Sequence, residues 1–177
     1  MGKIYYIADM HLGHENIIRL SNRPFDSVEE MDKVLIDNYN SVVTDEDDVY
    51  FLGDVSFKGK DPVAYLKQMK GKKHLIVGNH DGAILKNPAA RKMFEEISDY
   101  KDISDNGRRV ILFHYPIAEW NGYFRNSYHI YGHIHNNDKN EVWAYMSKLK
   151  NCFNAGVDLT EFMPRTLDWF IKNQNKQ

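Results

Sequence analysis

Five short apolar runs, each ending at a polar residue that can bind a metal or transfer a proton, constrain this sequence most. The runs are rich in Ile, Val, Leu, Tyr and Phe, which is typical of buried strands. A group directly after such a strand lies in the loop at its carboxyl end, where open α/β sheets form their binding crevice. The runs and the groups that follow them are Ile4–Ala8 before Asp9, Val49–Leu52 before Gly53-Asp54, His74–Val77 before Gly78-Asn79, Val110–Phe113 before His114, and Tyr128–Tyr131 before Gly132-His133.

Helix signals lie between these runs. Ser27 and Glu30 have the spacing of a capping box, and an apolar stripe at intervals of three and four residues follows them. Strands that alternate with helices, joined in places by connections too short for a crossover helix, predict an α/β protein with mixed sheets. The predicted helices are Val28–Val42, Ala64–Met69 behind Asp61-Pro62 with a stop at Gly71, Pro88–Ile97 and Pro164–Ile171.

Composition indicates one globular unit. The chain has no internal repeat, low-complexity tract or flexible linker, so we expect a single domain over residues 1–177. Its 23 Lys+Arg and 25 Asp+Glu give a formal charge of -2, which argues against nonspecific attraction to nucleic acid or anionic lipid as the main function.

Cys152 is the single cysteine, so no internal disulfide or cysteine-rich zinc site is expected. The first apolar run is too short for a signal peptide or membrane span, and a cytoplasmic location is expected.

Histidine is frequent in this chain, with eight copies, and it is the commonest metal ligand in proteins. If the strand-end loops converge at one edge, their side chains supply enough oxygen and nitrogen donors for two divalent ions, with Asp54 available as a bridge. Carboxylate and imidazole donors without a thiolate suit manganese, iron or zinc. The candidate groups, in chain order, are Asp9, His11, Asp54, Asn79, His80, Asp81, His114, His133 and His135.

The ordered combination of these motifs resembles the calcineurin-like metallophosphoesterase family. Its five sequence blocks match, in order, Asp9-Met10-His11, Gly53-Asp54, Gly78-Asn79-His80-Asp81, His114 and Gly132-His133-Ile134-His135. The resemblance spans residues 4 to about 135, and residues 154–158 followed by Pro164 are similar to the closing segment of small prokaryotic and phage members. It implies a four-layer fold in which two mixed β-sheets pack as a sandwich flanked by helices.

The resemblance also implies the chemistry of the site. Two divalent ions, manganese first and iron or zinc as alternatives, would hold a bridging hydroxide that hydrolyses a phosphomonoester or phosphodiester. His80 matches the family's non-ligand histidine, which would protonate the leaving oxygen or stabilise the transition state. The first ion would be held by Asp9, His11, Asp54 and His135, and the second by Asp54, Asn79, His114 and His133.

One position departs from the phosphoprotein phosphatases of this superfamily. They have an Asp that orients the catalytic histidine where this chain has Phe57, which argues against a protein-serine/threonine phosphatase. Asp81 could orient His80 instead, or it could cap its own turn. Arg23, in an Asn-Arg-Pro-Phe loop, is a candidate for binding a substrate phosphate, with a structural ion pair as the alternative.

Two further segments have alternative interpretations. The aromatic residues of segment 115–128 could stack on a planar leaving group or could pack locally. The four acids at positions 45–48 lack the alternating spacing of a calcium loop, and we predict a solvated turn before a strand.

Two other functions stay open at this point. A metal-dependent nuclease is disfavoured because the chain lacks a basic excess, and a non-catalytic scaffold that binds a protein is disfavoured because every matched ligand and His80 are present. We therefore expect a small phosphate ester, such as a nucleotide, as substrate, with no membrane contact and no obligate protein partner.

Overall fold

Two four-stranded sheets form the centre of the molecule. In the computed structural model, which describes residues 2–173, the first sheet has the order β1-β2-β3-β4 and the second β5-β6-β7-β8. The strands are β1 (Ile4–Ile7), β2 (Asp48–Phe51), β3 (Lys72–Ile76), β4 (Glu96–Ser98), β5 (Tyr100–Asp105), β6 (Arg108–Phe113), β7 (Tyr128–Tyr131) and β8 (Cys152–Asn154).

The predicted α/β sandwich is confirmed, and strand direction differs between its two sheets. Every strand pair of the first sheet is parallel. In the second sheet β5 and β6 are antiparallel, while the β6–β7 and β7–β8 pairs are parallel, so this sheet is the mixed one. The carboxyl ends of β1, β2, β3, β6 and β7 are the strand ends at which the sequence places its candidate ligands.

Seven α-helices and two short 3-10 helices accompany the sheets in residues 2–173. The longest of them has 15 residues, and no described helix is long and apolar enough to cross a membrane. The α-helices are α1 (Glu15–Leu20), α2 (Val28–Val42), α3 (Pro62–Leu66), α4 (Gly82–Lys86), α5 (Pro88–Arg91), α6 (Glu141–Met146) and α7 (Leu167–Asn173), and the 3-10 helices are Tyr123–Arg125 and Val157–Leu159.

The side chains of β1 show how the layers pack. Tyr6 and Ala8 belong to the apolar core that joins the first sheet to the second, whose members include Val110 on β6. Tyr5 and Ile7 belong to the core on the opposite face, which includes α2. Successive side chains of a strand point to opposite faces, so a continuous apolar run serves a sheet that is covered on both sides.

Helix α2 begins as its sequence predicts. The hydroxyl of Ser27 accepts a hydrogen bond from the N–H of Glu30 at 3.1 Å. The Glu30 carboxylate accepts from the N–H of Asp26 at 2.8 Å, one residue before the partner expected of a capping box. Met31 and Leu35 from the predicted stripe are buried.

Three helix predictions need correction at their ends. The helix predicted for residues 88–97 ends at Arg91, because residues 96–98 instead form β4 along the edge of β3. The helix behind Asp61-Pro62 ends at Leu66. The last helix begins at Leu167, since the backbone of Arg165 exchanges two hydrogen bonds with Tyr6 of β1 and is therefore extended.

The acidic segment 45–48 forms a turn that leads into β2, as predicted, but one of its acids is not solvated. Asp47 is buried, and its carboxylate accepts hydrogen bonds from the N–H groups of Lys3 and Thr44, both at 2.7 Å. The Thr44 hydroxyl donates a third at 2.8 Å. This carboxylate therefore joins the start of β1 to the turn before β2.

Candidate metal centre

The loops that follow five strands bring all seven predicted ligands to one edge of the sandwich. Three of them, from the loops after β1 and β7, offer donor atoms within 4.8 Å of one another: Asp9, His11 and His135. A second group with the same spacing comes from the loops after β2, β6 and β7: Asp54, His114 and His133. We name these the first group and the second group.

Asp54 lies between the two groups. One oxygen of its carboxylate, Oδ2, is 3.6 Å from Nε2 of His11 in the first group and 3.6 Å from Nε2 of His114 in the second. Asn79 adds an oxygen to the second group, since its Oδ1 is 3.0 Å from Nε2 of His114 and 3.1 Å from Nδ1 of His133. The arrangement suits a carboxylate that is shared by two cations.

In the first group, two imidazole nitrogens point at one another. Nε2 of His11 is 3.3 Å from Nε2 of His135, and Nδ1 of His135 donates to Asp158 at 3.0 Å. Burial, together with the neighbouring His135, lowers the pKa of His11 to about 2, so His11 is the neutral imidazole that binds metals. A cation between the two Nε2 atoms would satisfy both lone pairs.

Asp9 is the fully buried carboxylate of the first group. Burial raises its pKa to about 7, against the opposing effects of His135 and of the His133 N–H. Its oxygens accept that N–H at 3.1 and 2.9 Å. Because a divalent cation beside a carboxylate favours its ionised form, metal binding would offset the cost of burying this charge.

In the second group, a hydrogen bond to the backbone fixes the tautomer of His114. Its Nδ1 donates to the carbonyl oxygen of Leu52 at 2.7 Å, which leaves a lone pair on Nε2 facing Asp54 and Asn79. Burial lowers the pKa of His114 and keeps its ring neutral. Lone pairs of nitrogen and oxygen thus converge on one point, as a cation requires.

The backbone at these positions is strained. Non-glycine residues seldom adopt the left-handed region, and such outliers cluster at functional sites. The Asp9 and His11 conformations are supported by their N–H groups, which donate to the carbonyls of Gly53 and Asp54, both at 3.0 Å. Five of the seven predicted ligands have a positive φ: Asp9 (56°), His11 (51°), Asp54 (56°), His133 (72°) and His135 (50°).

Two motif glycines permit the close approach of the loops. A Cβ on Gly53, whose φ is +87°, would lie 2.4 Å from Nδ1 of His114. A Cβ on Gly132 would lie 2.6 Å from a carboxylate oxygen of Asp9. Any side chain at either position would displace a predicted ligand.

Asp81 stabilises the turn and does not orient His80. It is fully buried, and its carboxylate accepts from the N–H groups of Asp54 and Val55, both at 2.9 Å, and of Gly78 at 2.8 Å. Burial raises its pKa to about 6 in spite of these donors. Of the two roles considered for Asp81, its contacts fit the structural one.

His80 is exposed beside the first group. Its N–H donates to Oδ1 of Asp54 at 2.8 Å, and its ring centroid is 5.4 Å from that of His11. No side chain within residues 2–173 hydrogen-bonds to its imidazole. Phe57 stacks on His14 instead, with centroids 4.0 Å apart and ring planes 8° apart.

The prediction that Arg23 contacts a substrate phosphate is wrong, because its guanidinium is buried and its donors are occupied. Nε donates to Asp158 at 2.7 Å, and the two terminal nitrogens donate to the carbonyls of Asp9 at 2.7 Å and Met10 at 2.9 Å. Arg23 therefore fixes the backbone of the first ligand loop, and the structural ion pair is the correct interpretation.

Asp158 is the site residue that the sequence reasoning missed. Its carboxylate accepts from both Arg23 and Nδ1 of His135, and it is buried. Burial opposes its ionisation, but His135 and Arg23 together hold its pKa below the ordinary value. Asp158 follows β8 as the predicted ligands follow their strands, and this position was a signal for it.

The aromatic segment 115–128 divides between packing and the site. Trp120 is buried, and its indole N–H donates to the Ser127 hydroxyl at 3.0 Å, so this part packs locally. Tyr115 is 37% exposed, and its ring centroid is 4.6 Å from that of His133. Tyr115 is thus the aromatic residue that reaches the candidate metal centre.

The two-sheet α/β sandwich, whose strand-end loops gather carboxylates and imidazoles, fits a metal-dependent phosphoesterase. Sequence comparison agrees. The family model for calcineurin-like phosphoesterases matches residues 2–151, and the chain belongs to this family. The predicted family and enzyme class are therefore confirmed, and the paired Asp/His groups fit a dinuclear site for divalent ions.

Three similar proteins cover between 66% and 97% of this chain. An uncharacterized protein of Methanocaldococcus jannaschii is 37% identical over 175 residues, covering 97% of this chain and 91% of that protein. The Gene 66 protein of Mycobacterium phage L5 is 34% identical over 134 residues, covering 66% of this chain and 64% of that protein. A solved structure from Aquifex aeolicus, of a protein of unknown function, is 31% identical, has a TM-score of 0.77, and covers 97% of this chain and 99% of that chain.

Proposed function

We propose that this protein hydrolyses a phosphomonoester or phosphodiester of a small organic compound, with two divalent ions in its metal centre and His80 assisting the leaving group. The observation that carries the proposal is the pair of Asp/His groups joined by Asp54. We also propose manganese as the ion and a cytoplasmic location, both of which are expected from the sequence.

Seven residues would hold the two ions. When bound, the ions would supply Lewis acidity toward the phosphoryl oxygens and lower the pKa of the attacking water. The first ion would be held by Asp9, His11, Asp54 and His135, and the second by Asp54, Asn79, His114 and His133.

The charge of this donor set favours a phosphate. Two divalent ions would bring four positive charges against the two carboxylates of Asp9 and Asp54. Asn79 and the imidazoles of the set add donors without adding negative charge. A local excess of positive charge would remain in a chain whose formal charge is -2.

His80 is suited to act as a general acid. It shares the loop after β3 with Asn79, and the contact of its N–H with Asp54 fixes it beside the ligands. Its ring is exposed to the cleft and has no side-chain partner among the described residues. It can therefore deliver a proton to the oxygen of a departing alcohol without surrendering a metal contact.

The test combines metal analysis with ester hydrolysis. The protein is stripped with a chelator, reloaded with manganese, iron or zinc, and assayed on p-nitrophenyl phosphate and bis(p-nitrophenyl) phosphate. We expect about two ions per chain and hydrolysis that depends on them. A chain that binds two ions but hydrolyses neither ester with any of the three metals would contradict the proposal and favour the scaffold. In the same assays Asp54→Asn should lose both bound metal and hydrolysis, and Asp37→Asn, at an exposed surface ion pair, is its matched control.

A further inference from the structure

The candidate metal centre opens into a cleft that is much larger than a phosphate group. The cleft has a volume of about 880 Å³ and runs from His11, His80 and His135 to the space between α1 and segment 136–140. Pockets for small organic ligands usually measure roughly 300–1,000 Å³. Space is therefore available for the organic part of a substrate on the side where His80 lies.

One wall of the cleft carries apolar side chains of α1. It includes His14, whose ring lies parallel to Phe57, and Ile17 and Leu20 from α1. Leu20 is 66% exposed, so its side chain offers an apolar surface at the mouth of the cleft. A planar ring could contact the side chains of His14 and Leu20 on this wall.

Side-chain amides form another part of the lining, from Asn22 at the end of α1 and from segment 136–140. Asn136 donates to the carbonyl of Ser21 at 3.1 Å and so ties this segment to the end of α1. The amides of Asn22 and Asn137 are exposed in the lining and have no hydrogen-bond partner within residues 2–173. Each can both donate and accept, which suits hydroxyl and amide groups of a ligand.

The cleft lacks the charge that a nucleic acid requires. Among the described residues that line it, Lys139 is the only Lys or Arg, and Asp138 lies next to it. Extended polyanions are bound by several Lys or Arg side chains that neutralise successive phosphates. An uncharged group would find partners here, whereas a chain of phosphates would not.

We propose that this cleft is a leaving-group subsite for an uncharged organic group of nucleoside size, with a flat ring for the α1 wall and hydroxyl or amide groups for Asn22 and Asn137. The inference rests on the proposed function and narrows it to phosphate esters of such a compound. It also disfavours the alternative function of a metal-dependent nuclease.

The kinetic test compares two leaving groups on the same phosphate. Adenosine and ethanol esters of phosphate, each as monoester and as methyl diester, are assayed with the manganese-loaded protein by release of the alcohol. We expect Asn137→Asp and Leu20→Ser each to reduce kcat/KM about tenfold for the adenosine esters and to leave the ethyl esters within about twofold. Asn16→Asp, on α1 but outside the cleft, should change neither.

A binding test separates the subsite from the hydrolysis. Adenosine is titrated into the metal-free protein and followed by NMR, and we expect shifts at Leu20, Asn22 and Asn137 that Asn137→Asp abolishes. Adenosine binding without hydrolysis of any ester would overturn the proposed function and support the subsite. Ester hydrolysis in which the cleft variants affect both leaving groups equally, or neither, would overturn the subsite alone, as would a preference for a labelled oligonucleotide.

Discussion

At the scale of single residues, the predicted ligands depend on partners that would not touch the ions. Asp158 and Leu52 fix the tautomers of His135 and His114 by accepting from their Nδ1 atoms. An imidazole whose outer nitrogen is hydrogen-bonded presents its inner lone pair in one direction. The metal centre is therefore built from two layers of contacts, and the outer layer can be tested separately.

Replacing Asp158 by Asn should weaken metal binding at the first group without removing any of its predicted ligands. The change would deprive Arg23 and His135 of a shared negative charge, and outer partners of this kind are worth about 10–100-fold in metal affinity. Competition with a chelator would measure the loss. Asp37→Asn serves as control, and unchanged affinity for both ions in the Asp158 variant would show that this carboxylate does not orient His135.

Asp54 and His80 should respond differently to substitution. Asp54→Asn should lower both turnover and bound metal, because one shared carboxylate oxygen faces both groups. His80→Ala should lower turnover by about 10²–10⁴-fold and leave the metal content unchanged. Metal analysis and a phosphatase assay on the same samples distinguish the roles. Loss of metal from the His80 variant would refute its non-ligand role, and full activity of the Asp54 variant would refute the bridge.

The predicted ligands can be chosen from local sequence signals, but the contacts between the residues that support them cannot. Strand-end position and residue type indicate Asp9 or His114, since these signals are local. The direction in which Arg23 points depends on Asp158, which is 135 positions away along the chain. No local pattern encodes that contact, and a lone arginine in a loop has the same appearance whether it faces solvent or a buried acid.

At the scale of secondary-structure elements, the short edge strand β4 was misread because its sequence is ambiguous. Its three residues are partly exposed and show no alternation of buried and exposed positions. They become a strand because the edge of β3 offers unpaired backbone groups, to which residues 95–98 hydrogen-bond. Helix α2 was predicted correctly, because its cap and its apolar stripe are both local features of the sequence.

Asp47 connects two elements and makes their junction sensitive to acid. Burial opposes its ionisation, but the N–H groups of Lys3 and Thr44 outweigh burial and lower its pKa. The unfolded carboxyl has its ordinary pKa of about 3.9. The stabilisation is therefore complete above that pH and disappears as the pH falls through the lower folded value.

Asp47→Asn should accordingly reduce the free energy of unfolding at pH 7 by about 1–2 kcal/mol, since an amide has one acceptor oxygen for three donors. The difference from the unmodified protein should shrink below about pH 4. Urea unfolding at several pH values would measure it. Asp45→Asn, in the exposed part of the same turn, should have little effect on the free energy of unfolding. Equal losses of stability in both variants would show that Asp47 does not stabilise the junction between β1 and the turn before β2.

At the scale of the whole molecule, the candidate metal centre joins the two sheets. The first group combines the loop after β1 with that after β7, and the second combines the loop after β2 with those after β6 and β7. Ions bound there would contact residues of both sheets at once. Binding to the folded state alone raises stability by about 2.7 kcal/mol when free metal is 100 times Kd.

We therefore expect manganese to raise the melting temperature of the chelator-stripped protein in a concentration-dependent way. Asp54→Asn should abolish most of that increase, because it weakens both sites. Differential scanning fluorimetry with a metal titration would measure the effect, with Asp37→Asn as control. A melting temperature that does not respond to any divalent ion would contradict a centre that bridges the sheets.

The wide separation of the site's residues in sequence also bears on biosynthesis. His135 needs the carboxylate of Asp158, and the loops that meet beside it begin at Asp9. A ribosome makes these segments in order, so the early ligands leave it long before their partners exist. A nascent chain therefore cannot form the His135–Asp158 contact, and so cannot complete the candidate metal centre, until the segment carrying Asp158 has been translated and released.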